Sequence, residues 1–185
     1  GYVILVIRDL DVPTLGNDEQ RTGRRADRFS ARQHLDRAMD AVLDYGHGVF
    51  EHAGLVFENH HQIAHSQVFE SLFAREKLGS TGLGQGIAIP HGRIKGLKEA
   101  VGAMIRMRAP IPFDAPDALP VNLIFVLLVP ERATDLHLQI LSELAQMFSD
   151  KAFRDQLLGA PSAEAMHRLI AEWQPHAANH RSAAV

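Results

Sequence analysis

The sequence predicts an α/β fold in which a mixed β-sheet is sandwiched between α-helices. Two observations carry that expectation. Segments with helical and strand periodicity alternate in the order ααβββαα. One strand-length segment, Val121 to Val129, is apolar at every position but Asn122, the pattern of a central strand covered on both faces.

Each element has its own signal along the chain. Val3 to Ile7 reads as a short strand. Pro13 to Ser30 is polar, holds Gly16 and Gly23 and has no usable period, so it reads as loop or disorder. Leu35, Ala38, Met39 and Val42 fall at helical spacing. Val49, Ala53, Val56 and Phe57 form a second helical stripe. A third runs through Val68, Phe69, Leu72 and Phe73 and ends near Gly79. A glycine-dense stretch from Gly79 to Gly86 leads into Ile87-Ala88-Ile89. Val101, Ala103, Ile105 and Met107 alternate with Gly102, Met104, Arg106 and Arg108, which predicts a half-buried strand. Residues 109–120 contain four prolines and read as a loop. After the apolar strand, a helix is expected from Thr134, with Asp135 in its first turn and Leu136, Ile140, Leu144 and Met147 on its buried stripe. A short helix over Asp150 to Leu158 stops at Gly159. Ser162 caps a last helix carrying Met166, Leu169, Ile170 and Trp173, and the tail after Pro175 is expected to fray. Met104, Met107, Phe148 and Phe153 read as core.

Composition narrows the chemistry. The 185 residues include no cysteine and 11 histidines, which excludes disulfides, thiolate metal sites and a cysteine nucleophile. A net charge of -3 gives no basic field for nucleic acid. The longest apolar run, Leu123 to Val129, is too short for a membrane span, which needs about 20 residues. Tyr2 to Ile7 lacks the preceding basic residues and cleavage site of a signal peptide. A cytoplasmic protein without membrane insertion is expected. Composition shifts near residue 45, because residues 1–45 carry seven arginines and the first 76 residues no lysine. The Arg24-Arg25 pair sits among Asp18, Glu19 and Asp27, so a solvated linker explains it better than an anionic partner.

The glycine-rich stretch is not a nucleotide loop. No lysine lies between Lys77 and Lys95, as a Walker sequence would require, and a strand rather than a helix comes after the alternating glycines. The Pro90-His91-Gly92 segment is more specific. Pro90 pins the chain at a strand end, and Gly92 leaves the His91 imidazole uncrowded. Neutral imidazole is a good nucleophile toward phosphorus and forms a labile phosphoramidate. The transferred group would need donors around it, and Arg75, Ser80, Thr81 and His137 are candidates. From spacing alone, a lone histidine at a strand end is more often structural than catalytic. His60, His61 and His65 include an i, i+4 pair that could ligate a metal, but the surrounding polar turn favours a solvated surface. No carboxylate-spaced histidine set supports a metal-dependent hydrolase.

Phe69 to Arg93, FESLFAREKLGSTGLGQGIAIPHGR, resembles the active-site stretch of type-2 EIIA domains of the bacterial phosphoenolpyruvate-dependent phosphotransferase system. The likeness extends from about Gly48 to Trp173, and its Leu78-Gly-Ser-Thr-Gly-Leu-Gly segment most resembles the nitrogen-regulatory branch. The resemblance implies a phosphohistidine carrier in which His91 accepts phosphate, on Nε2, from a phosphorylated HPr-like protein. It implies that Arg75 stabilises the phosphate and that His137 supports the phosphorylated ring. Ser80, Thr81 and Gly92 would belong to the phosphate loop. No metal or cofactor is implied. Expected partners are the HPr-like carrier and regulatory targets of the potassium-transporter or sensor-kinase type, with no nucleic acid. The alternative is a sugar-specific, fructose/mannitol-type EIIA passing phosphate to a separate EIIB; without cysteine, a fused type-2 EIIB is not expected. The domain expectation is an atypical N-terminal segment at 1–45, partly loop or disordered, an EIIA domain at 46–174 and a flexible tail at 175–185. Arg8 to Val12 echoes a leading family motif, but some 35 residues then intervene before Gly48.

Overall fold

Val121–Pro130 is the strand around which the sheet assembles, and its composition explains why. The run V-N-L-I-F-V-L-L-V places apolar side chains on both pleat faces, and every residue from Leu123 to Val129 is fully buried. The computed structural model describes residues 3–10, 31–132 and 134–174, with side chains from Gly46 onward except at Thr134 and Leu136. The loop expected at Pro13–Ser30 and the tail after Pro175 lie outside these residues. The chain divides into two compact units, residues 1–133 and 134–185.

In the first unit the elements are β1 (Val3–Leu10), α1 (Ala31–His61), α2 (His65–Glu76), β2 (Gly82–Gly84), β3 (Ile87–Ala88), β4 (His91–Ile94), β5 (Val101–Ile111) and β6 (Val121–Pro130). The sheet is mixed, with strand order β1-β5-β6-β3-β2, and β4 also pairs β6. β5 and β6 are antiparallel, with Ala103 opposite Val126. β1 lies parallel to β5, with Val3 opposite Val101. β3 and β4 both run parallel to β6, at Leu123–Ile124 and Leu127–Pro130 respectively. Together they form one path along β6, interrupted at Ile89-Pro90.

One face of this sheet packs on the two helices. Val49, Phe50, Ala53 and Phe57 of α1 and Val68 and Leu72 of α2 share a core with Ile94, Val101, Ala103, Ile105, Ile124, Val126 and Leu128. The helices cross closely because α1 carries Gly54, where a Cβ would lie 2.5 Å from the His65 ring. Glu51 and His65 then pair across the crossing at 2.7 Å.

Several elements differ from expectation. α1 runs unbroken from Ala31 to His61, so the helical stripes expected on either side of residue 45 belong to one helix. Val49, Phe50, Ala53 and Phe57 of this helix are buried in the core shared with the sheet, and such tertiary packing outweighs the poor helix propensity of Gly46 and Gly48. β5 is buried on both faces from Val101 to Ile105, rather than on one. It also continues to Ile111, because the pairing shifts register between Arg106 and Ile111 and this irregularity admits Pro110. α2 ends at Glu76, three residues before Gly79.

The second unit contains α3 (Thr134–Ser149), α4 (Lys151–Gly159) and α5 (Ala163–Ala171). Asp150 caps α4 by accepting from the amides of Ala152 and Phe153, and Ser162 caps α5 by accepting from that of Ala165. Ile140, Leu144, Met147, Phe148, Phe153, Leu157, Met166 and Ile170 are buried. Arg154 is only 8% exposed. Its Nη1 donates to the carbonyls of Phe148 at 2.7 Å and Ser149 at 3.0 Å, satisfying the end of α3 with a cation where the helix dipole favours one.

Candidate active site

Backbone chemistry puts His91 where the sheet path restarts. Pro90 cannot donate a ladder bond, and its carbonyl accepts from the Leu127 amide at 2.9 Å. His91 is the first residue of β4, opposite Leu127, and is half-buried. Beside it, Gly92 lets β4 approach α2. A Cβ on Gly92 would sit 2.4 Å from Ser71 Oγ and 3.1 Å from Ser71 Cβ. The Ser71 hydroxyl completes that contact by donating to the Arg93 carbonyl at 3.0 Å.

Both ring nitrogens of His91 are held. Nδ1 lies 2.9 Å from the Ile89 carbonyl, which can only accept, so Nδ1 carries the proton. Arg75 Nε donates to Nε2 at 3.0 Å, so Nε2 presents its lone pair. Arg75 stands in the last turn of α2, and its Nη1 donates to the Gly79 carbonyl at 3.0 Å. These two bonds fix the plane of the guanidinium against the edge of the imidazole. The result is a neutral imidazole with a defined nucleophilic nitrogen, next to a five-donor fork suited to phosphate oxygens.

The glycine-rich turn wraps this pair. Ser80 Oγ donates to the Phe113 carbonyl at 2.6 Å and accepts from the Gly82 amide at 3.0 Å. The Thr81 amide and hydroxyl donate to Glu76 Oε1 at 3.0 Å and Oε2 at 2.6 Å. Glu76 was not among the residues expected at the site, and it is only 6% exposed. Burial pushes its carboxyl above the ordinary 4.5; the bonds from Thr81, the Arg75 charge and Ser80 act in the opposite direction. The one sequence signal for it is an acidic residue directly after Arg75, five positions before a threonine. At the far end of the turn, Asp117 accepts from the amides of Gln85 at 2.6 Å and Leu119 at 3.1 Å, and these bonds hold its carboxyl below the ordinary 3.8.

Thus the structure brings His91, Arg75, Gly92, Ser80 and Thr81 onto one side of the first unit. His137 belongs to the second unit, in the first turn of α3, and is 8% exposed. His61 ends α1 and His65 begins α2, so the i, i+4 pair does not lie on one continuous helix. Among the described residues no group of three or more His, Cys, Asp or Glu side chains is placed to hold a metal ion. Among them, too, no helix is long and apolar enough to cross a membrane.

Fold and site together define an α/β domain centred on a single strand-end histidine with its Nε2 turned to an arginine. Residues 43–173 match the family described as "Phosphoenolpyruvate-dependent sugar phosphotransferase system, EIIA 2", and the chain belongs to it. Among similar proteins are the "Nitrogen regulatory protein" of Pseudomonas aeruginosa, 50% identical over 107 residues, and that of Escherichia coli (strain K12), 45% identical over 106. These alignments cover 58% and 57% of this chain, and 70% and 65% of those proteins. The crystal structure of the nitrogen regulatory protein IIA-Ntr from Neisseria meningitidis superposes with a TM-score of 0.64 at 57% identity, covering 67% of this chain and 85% of that one. That of IIA mannitol from Escherichia coli, at 20% identity and a TM-score of 0.56 over 68% of this chain and 88% of that one, shares the fold.

Proposed function

We propose that the chain is a phosphohistidine carrier of the nitrogen-regulatory branch, accepting a phosphoryl group on His91 Nε2 from a phosphorylated HPr-like protein. The observation that carries this is the pairing of Nδ1–H with the Ile89 carbonyl and of Nε2 with Arg75. The Nε2 lone pair attacks phosphorus as the donor's P–N bond breaks, and the donor imidazole leaves with that electron pair. The proton stays on Nδ1, so the product ring is an imidazolium, and the Ile89 carbonyl faces its N–H. The Arg75 donors pass from Nε2 to the phosphoryl oxygens, supplying preorganised positive charge. His137 supports the phosphorylated ring, on the strength of its match to the family's second histidine. Ser80 and Thr81 shape the loop, since each hydroxyl already donates to a protein acceptor. Gly92 lets His91 sit close to α2.

The relatives named nitrogen regulatory protein favour a regulatory output; the family resemblance, not those names, suggests targets of the potassium-transporter or sensor-kinase type in the cytoplasm. Incubation with enzyme I, an HPr-like carrier and phosphoenolpyruvate should add one acid-labile phosphate, and His91→Ala should take none. Acid-labile phosphate on His91→Ala would refute the assignment. Transfer of the phosphate onward to a candidate EIIB would support the sugar-specific reading instead.

A further inference from the structure

Thr81 is the joint between the two halves of the site. Its amide and hydroxyl donate to the Glu76 carboxylate, and its carbonyl accepts from the Ile89 amide at 3.0 Å. The Ile89 carbonyl faces His91 Nδ1 at 2.9 Å, and His91 Nε2 faces Arg75 Nε at 3.0 Å. Arg75 precedes Glu76 on α2, which closes a ring of Glu76, Thr81, Ile89, His91 and Arg75. A strut crosses it: Arg75 Nη1 donates to the Gly79 carbonyl, and the Gly79 amide to the Glu76 carbonyl at 3.0 Å.

We propose that Glu76 is a positioning residue which, through Thr81, fixes the tautomer and aim of His91. This rests on the phosphoacceptor reading of His91. A buried carboxylate is costly, and closing a turn does not require one. What a carboxylate supplies is two acceptors for the two donors of a single residue, which orients the peptide at Thr81 as one acceptor cannot. That orientation sets the Thr81 carbonyl, hence Ile89, hence the carbonyl that keeps the proton on Nδ1. If the joint loosens, the proton can move to Nε2 and block the nucleophile. The hydroxyl of Thr81, a residue only 6% exposed, is therefore a structural donor to Glu76. The arrangement acts on catalysis through hydrogen bonds in series, as outer partners do around other reactive imidazoles.

The test uses the full chain, 15N-labelled at histidine, as wild type, Thr81→Val, Thr81→Ser and Glu76→Gln. Ring-nitrogen NMR of His91 is read alongside the rate of phosphoryl transfer from a phosphorylated HPr-like donor, with thermal melts as a folding control. Wild type should show one tautomer, protonated on Nδ1. Thr81→Val should show a tautomer mixture, with the maximal rate down by about tenfold to a hundredfold and the half-saturating donor concentration unchanged. Thr81→Ser keeps both donors and should restore tautomer and rate; Glu76→Gln keeps one acceptor and should fall between. A wild-type spectrum that already shows a mixture overturns the proposal without any variant having to fold. So does a rate loss in Thr81→Val with the tautomer unchanged, or no change in either. If wild type accepts no phosphate, the carrier reading falls, while the tautomer comparison still decides the role of Glu76.

Discussion

Replacing Gly92 with alanine tests the packing that seats His91. Propensity alone favours the change, because glycine within a strand costs roughly 0.5–1 kcal/mol relative to alanine. The contact predicts the opposite sign. The new Cβ would lie 2.4 Å from Ser71 Oγ, where nonbonded contacts need roughly 3.5 Å, so a gap of about 1 Å has to open. β4 cannot simply retreat, since Gly92 is paired with Leu128 on its other side. Rotating Ser71 gives up its bond to the Arg93 carbonyl, worth about 1 kcal/mol, and leaves Ser71 Cβ still 3.1 Å away. Overpacking of this kind costs about 1–3 kcal/mol, so a net loss of about 2 kcal/mol is expected in urea melts. A shift of about 1 Å passed to His91 should also slow phosphoryl transfer by up to about a hundredfold. The decisive comparison is Gly92→Ala with Ser71→Ala. Removing Oγ relieves the worst overlap, so the pair should recover more than half of both losses, with a coupling of about 1 kcal/mol or more. A neutral Gly92→Ala, or strictly additive effects in the double variant, would refute the reasoning.

Three other variants have outcomes set by their contacts in the same way. Gly54→Ala should destabilise by about 1–2 kcal/mol despite a helix-propensity gain of about 1 kcal/mol, because the His65 carbonyl, 3.1 Å from the new Cβ, belongs to backbone and cannot rotate away; a rise in the melting temperature would contradict this. Arg154→Met should cost about 2 kcal/mol by leaving the Phe148 and Ser149 carbonyls without their charged donor, and equal urea midpoints for variant and wild type would refute it. For Glu76 the folded carboxyl titrates above the unfolded one, so the folded state binds more protons in that window. Its contribution is fully present below the ordinary 4.5 and is lost as pH rises through the folded value. Stability of wild type relative to Glu76→Gln should therefore fall as pH rises above 4.5, and a pH-independent difference in urea melts would exclude it.

How much of the fold and site is legible in the sequence depends on whether the signal is local. β6 is legible because burial on both faces leaves a continuous apolar run, and the cap at Ser162 because a capping side chain acts within three residues of itself. The proline and glycine that flank His91 single it out as a candidate, but only the resemblance of the Phe69–Arg93 stretch gives it, and Arg75, a role. The parallel pairing of β1 with β5 is not, since it joins residues about a hundred positions apart and nothing in Val3–Ile7 states a partner. Nor is the double-sided burial of β5. Gly102 looks like a gap in the alternation, yet a Cβ there would lie 2.6 Å from the Phe125 ring, so the small residue is what makes room for the larger one.

Glu76 and Arg154 show the deeper limit. In sequence each is a charged residue on an amphipathic helix, and the ordinary inference is a solvated face. Both are buried, and each answers a need created at a helix boundary. Arg154 donates to the Phe148 and Ser149 carbonyls where α3 ends; Glu76, the last residue of α2, meets the donors of the turn that begins there. A charge is tolerated in such a place only when its partners are preorganised and their geometry matches its own, which depends on the path of the next segment rather than on the helix itself. At Arg154 that match closes the end of α3. At Thr81 the same physics reaches one hydrogen bond further, to Ile89, whose carbonyl faces Nδ1 of His91, so a helix-terminal carboxylate and the His91 imidazole belong to one hydrogen-bonded unit.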